Sequence, residues 1–258
     1  MKSKKLLSVL LVGLLLSMLF SQAVFAKSQK SLVALGDSIT FGWNLSPTND
    51  RPSDQAFPSL IANSEDDYQV SNLAVGGAKS GDLLALLKTK GYRDALAHAN
   101  VITLEIGSND FLQGTKPIIE KLISIPGYTP TLADMQVIGL ITQQYGMNLT
   151  AIISEIRSVT KAPIILYNIY NPFYGLDLQA GALLALPNMI IKSYDSDPSI
   201  VVADAFSAFA GKQNILVIPY DVHPTIDGHY VLAKLGLQAL ETLDTKNEKD
   251  KDKEKAAH

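Results

Sequence analysis

The chain predicts an α/β fold in three layers, with helices covering both faces of a central parallel sheet. Three observations carry that expectation. Short apolar runs alternate with stretches of helical spacing, the pattern of strands joined by crossover helices. The 258 residues are 47% hydrophobic, enough for a sizeable core in one domain. There is no cysteine, which excludes a disulfide framework, a zinc ribbon and thiol catalysis.

Residues 1–26 stand apart from the fold. Lys2, Lys4 and Lys5 precede an apolar stretch from Leu6 to Phe20, and Val24-Phe25-Ala26 supplies compact residues before a cut. This reads as a secretory signal peptide; an uncleaved membrane anchor is the competing reading. Losing residues 1–26 removes three Lys and no acid, so the net charge moves from −3 to −6. That balance speaks against a nucleic-acid-binding surface, which needs clustered Lys and Arg. Export without cysteine fits a bacterial protein, extracellular or associated with the cell envelope.

Residues 27–243 form the expected domain. Strands are predicted at Ser31 to Leu35, Tyr68 to Leu73, Val101 to Ile106, Pro163 to Tyr167 and Ser199 to Ala203, with a short addition at Ile215 to Ile218. Helices are predicted over Gly81 to Leu87, Leu132 to Val159 with a break at Gly146, and Gly228 to Leu243. Residues 244–258 alternate acids and Lys with almost nothing to bury, and read as a solvated, disordered tail or a frayed extension of the last helix.

In a parallel sheet of this kind ligands sit beyond the C-terminal strand ends. Ser38 follows the first strand, in Gly36-Asp37-Ser38, where a hydroxyl at a strand-to-helix switch is placed either as a nucleophile or as a helix cap. Gly76-Gly77 follows the second strand and Asn109 the third. Together they offer amide donors for an oxyanion, although a glycine turn and an Asx turn account for them equally well. His223, in a loop fixed by Pro224 ahead of the final helix, is placed to act as a base. His229 packs or caps, and His98 sits on a helix surface. A long excursion from Phe111 to Gln144 forms either a lid or acyl groove, or ordinary core; Phe41, Trp43, Phe173 and Tyr174 either line the same crevice or fill the interior. Asp37 with Asp204 is a weak candidate for a metal pair.

Gly36-Asp37-Ser38, Gly77, Asn109 and His223, in that order, resemble the four blocks of the GDSL, or SGNH, hydrolase family, over about Ser31 to Leu243. The resemblance implies a flavodoxin-like three-layer fold and a secreted serine ester hydrolase acting through an acyl-enzyme. Ser38 would be the nucleophile and His223 the base, with the Ser38 amide, the Gly77 amide and the Asn109 side chain as oxyanion donors. Gly77 is preferred to Gly76 because it stands five residues after Asn72, as in the family block. One departure matters: the family's acid usually stands three residues before the histidine, where this chain has Tyr220. Asp221, two residues before, or a main-chain carbonyl would then orient His223. The implied partner is a small-molecule or lipid ester, with transient contact to a membrane or cell-wall surface, and the chemistry requires no metal or organic cofactor. An O-acetyl esterase of cell-wall carbohydrate, and a non-catalytic glycan- or lipid-binding protein, are the alternatives.

Overall fold

The computed structural model describes residues 29–65 and 68–256, with side chains through residue 246. The expected signal peptide lies outside the described residues. Five strands form one all-parallel sheet: β1 (Lys30–Gly36), β2 (Tyr68–Asn72), β3 (Val101–Glu105), β4 (Ile164–Tyr167) and β5 (Ile200–Ala203), in spatial order β2-β1-β3-β4-β5. Leu32 of β1 is in register with Val70 of β2 on one side and Val101 of β3 on the other.

The alternation of side chains along each strand builds two cores. Val33 and Leu35 of β1, with Ile102 and Leu104 of β3, face α3 (Ser80–Leu86), α4 (Lys90–Ala97), α5 (Ser108–Gly114), α7 (Leu132–Val159) and α8 (Asp177–Ser193). Leu32 and Ala34, with Ile165 and Tyr167 of β4, face α2 (Phe57–Ser64), α9 (Ala205–Phe209) and α11 (Ile226–Ala256). Both faces of the sheet are therefore covered, which is why β4 and residues 32–35 of β1 are apolar throughout and why even Thr103 and Glu105 of β3 are buried. Three short helices complete the chain: α1 (Ser38–Phe41), α6 (Lys116–Ser124) and α10 (Gln213–Leu216). Among the described residues no helix is long and apolar enough to cross a membrane.

Three expectations differ from what is found. The run expected as a short strand at Ile215 to Ile218 is instead the end of α10 followed by a single antiparallel bridge between Val217 and Pro224. A four-residue apolar run carries no periodicity that separates helix from strand. Helix α7 does not break at Gly146, where a Cβ would stand 3.2 Å from Ile190 Cδ1; the glycine lets α8 approach α7 closely. Helix α11 continues past Leu243 to Ala256, so the charged stretch has helical backbone, as its Glu and Lys content permits.

The chain leaves β1 for β2 on one side and returns to β3 on the other. The crevice at the C-terminal ends of β1 and β3 is thus the topological switch point, where open parallel sheets place their ligands.

Candidate active site

Ser38 sits two residues beyond the end of β1. The cap of α1 is not Ser38 but Asp37, whose Oδ1 accepts the Ile39 amide at 2.9 Å. The Ser38 hydroxyl is left for His223, whose Nε2 lies 2.9 Å from its Oγ. His223 Nδ1 lies 2.7 Å from Asp221 Oδ1, which also accepts the Val222 amide. A carboxylate has no proton to give, so Nδ1 carries the hydrogen and Nε2 turns its lone pair to the serine. Burial works against the Asp221 anion, but hydrogen bonds from Asn44, the Val222 amide and His223 outweigh it and hold the carboxyl below its usual range. Of the two orienting groups left open by the sequence, the carboxylate of Asp221 is the one in contact with His223. The loop is anchored to the sheet by Tyr170, which follows β4: its hydroxyl donates to Val222 O at 2.7 Å, and its ring stacks on Phe209.

The loops after β2 and β3 border the same cavity as Ser38. Gly77 has φ +77°, a conformation that costs other residues free energy, and a Cβ there would meet open space. Neither the Ser38 amide nor the Gly77 amide has a protein acceptor among the described residues. Asn109 follows Gly107, whose φ of +120° and contact with the Tyr145 ring leave no room for a Cβ. Asn109 Oδ1 accepts from Gln113, and its Nδ2 donates to Asp37 Oδ2 at 3.1 Å and to Ala78 O at 3.2 Å. Asp110 ties the two loops together, accepting both the Ser80 hydroxyl and the Ser80 amide.

Ser38, Gly77, Asn109 and His223 line one cavity of about 380 Å³ whose remaining wall is mostly apolar. Trp43 forms one side; Phe111, Leu112, Ile119 and Ile138 come from the long excursion, Leu176 is the N-cap of α8, and Ala180 and Leu183 come from α8 itself. The excursion therefore contributes a groove as well as core. Phe173 also lines the cavity, whereas Phe41 is buried behind Trp43 and Tyr174 is exposed.

His229 packs, accepting the Phe57 amide at Nδ1 and stacking on its ring, and burial lowers its pKa to about 3. His98 ends α4 at the surface. Asp204 is the N-cap of α9, accepting from Ser207 and Asn168, and Asp37 is engaged beside Ser38, so each acid already has a structural role. Sequence reasoning missed Asn44, Glu105 and Asn72, whose partners lie far along the chain. Asn72 Nδ2 donates to Thr40 O at 2.8 Å, joining the second loop to α1; its place at the end of a strand beside a glycine pair was the available signal.

A family model described as GDSL-like lipase/acylhydrolase matches residues 34–231. The spore germination lipase LipC of Bacillus licheniformis is 24% identical over 206 residues, covering 78% of this chain and 92% of LipC. Among solved structures, the lipase Lip_vut3 from a goat rumen metagenome aligns with a TM-score of 0.68 at 24% identity, over 82% of this chain and 97% of that one. An extracellular lipase from Streptomyces rimosus aligns with a TM-score of 0.63 at 21% identity, over 81% and 99%. At these identities the two structures speak to the shared fold.

Proposed function

Because the chain belongs to the GDSL-like lipase/acylhydrolase family, we propose that it hydrolyses carboxylic esters of apolar acyl chains, with Ser38 as nucleophile, His223 as base and Asp221 as orienting acid. The observation that carries this reading is the hydrogen-bonded line from Asp221 through His223 to Ser38 at the head of an apolar cavity. As Ser38 Oγ bonds to the ester carbonyl carbon, His223 Nε2 takes the hydroxyl proton. The carbonyl oxygen becomes an anion that meets the Ser38 and Gly77 amides and Asn109 Nδ2. The full charge on that oxygen outcompetes the neutral Ala78 carbonyl for the Asn109 proton, since charge-assisted hydrogen bonds are about twice as strong. His223 then gives its proton to the leaving alkoxide as the carbon–oxygen bond breaks, leaving Ser38 acylated. Water attacks the acyl-enzyme with His223 again as base; Ser38 regains its proton and the carboxylic acid departs.

The wall of Trp43, Phe111, Leu112, Ile119 and Leu183 favours an alkyl chain over a sugar, whose hydroxyls would lose water without gaining partners. Export through residues 1–26 belongs to the same proposal and would bring the enzyme to lipid or acyl esters outside the cell. A p-nitrophenyl ester series from acetyl to palmitoyl tests the reading. Hydrolysis is expected to be fastest for medium chains and to vanish in Ser38→Ala. Failure to cleave any ester would overturn the enzyme reading, and preference for acetyl would transfer it to O-acetyl esters.

A further inference from the structure

Asn44 lies 177 residues before Asp221 in the chain, yet its Nδ2 donates to Asp221 Oδ2 at 2.7 Å. The carboxylate only accepts, so the amide must present nitrogen there, and its Oδ1 turns to Asn49. Asn49 Nδ2 donates to that oxygen at 3.1 Å, and Asn49 Oδ1 accepts the Asn44 backbone N–H at 2.9 Å. The side chain is thereby held from both ends. Its backbone has φ +65°, a left-handed conformation that Asn tolerates better than most residues.

The turn on the other side of the contact is also under constraint. The Asp221 amide donates to Ile218 O at 3.0 Å, closing a turn with Pro219 second and Tyr220 third. Tyr220 has φ +64°, at the turn position that ordinarily calls for glycine, and its side chain is fully exposed. This strained turn is what lets a carboxylate only two residues away reach the imidazole. Asp221 Oδ1 is engaged by Val222 and His223, while Oδ2 faces Asn44.

We propose that Asn44 is a positioning residue, a clamp on the outer oxygen of Asp221 that keeps the acid, and through it His223, aligned on Ser38. The inference rests on the proposed hydrolase function. Glycine accepts the left-handed backbone, so Asn44→Gly removes the amide without straining the loop. With an ester that the wild-type enzyme cleaves, Asn44→Gly is expected to lower kcat about tenfold, the scale of a hydrogen bond to a charged group, with KM unchanged. Asn44→Asp keeps the shape but sets a second carboxylate against the first, and is expected to lower kcat further. In the Asp221→Ala background the Asn44→Gly loss should disappear, because the group it acts through is gone. Wild-type kcat in either single variant, or an Asn44→Gly loss that multiplies in full onto that of Asp221→Ala, would overturn the clamp. Wild-type hydrolysis left intact by Ser38→Ala would instead overturn the proposed function beneath it.

Discussion

Asp37, one residue before Ser38, and Glu105, four before Asn109, are two acids buried in the same part of the protein. They are 0% and 3% exposed, and neither forms an ion pair with Lys, Arg or His among the described residues. Thr40 and Ser108 donate to Glu105, and Asn109 to Asp37, so the pair joins the floor of two site loops. Burial raises both acids, Asp37 to about 6 and Glu105 well above its ordinary range, where the Asp37 charge raises it further. Two buried carboxyl groups with raised pKa values favour a state in which the pair keeps a proton.

That proton makes stability depend on pH. Below the ordinary carboxylate pKa both folded and unfolded chains are protonated, and the contribution of the pair is fully present. As pH rises above about 4 the unfolded chain releases protons that the fold keeps, so stability falls, for Asp37 until pH reaches about 6 and for Glu105 beyond it. Glu105→Gln removes one titration. Melting curves between pH 5 and pH 8 are expected to show a smaller decline in the variant. Identical declines would contradict the retained proton.

Asp221→Ala removes the acceptor that fixes the imidazole tautomer, because His223 Nδ1 donates to that carboxylate at 2.7 Å. In other serine hydrolases disabling this position lowers kcat by about 10⁴-fold, and a loss of 10³- to 10⁴-fold is expected here in steady-state kinetics. Near-normal turnover would transfer the orienting role to a main-chain carbonyl.

Ala180 stands on the cavity side of α8, in the row Leu176, Ala180, Leu183 and Leu184. Ala180→Leu fills the space of roughly two acyl methylenes, about 1.6 kcal/mol or roughly tenfold in kcat/KM for the longer esters. Short acyl esters are expected to react as in the wild type. A uniform loss across the series would mean that the acyl chain lies elsewhere.

The strands and the reacting groups were legible because their signals are local. β1 and β4 carry runs of consecutive apolar residues, and Ser38, Gly77 and Asn109 each stand shortly after the end of a strand. Among the helices that went unread, three have weak signatures. Only Leu96 is buried in Lys90–Ala97. Lys116–Ser124 has Pro117 as its second residue, one residue after another helix ends, and Asp177–Ser193 contains Pro187. The apolar residues of α8 lie on its outer as well as its inner side, with Leu178 at 85% and Met189 at 64% exposure, so no stripe marks the buried face. The Asn44–Asp221 contact and the Asp37–Glu105 pair join distant parts of the chain, and no short-range pattern announces them.

The central claim is that Ser38 forms a covalent bond to the acyl carbon. Incubation with a serine-directed alkyl phosphonate followed by peptide mass spectrometry tests it most directly. One adduct is expected, on the peptide bearing Ser38, in step with loss of esterase activity and absent from Ser38→Ala. Inactivation with the adduct on another residue, or full activity with Ser38 modified, would contradict the account.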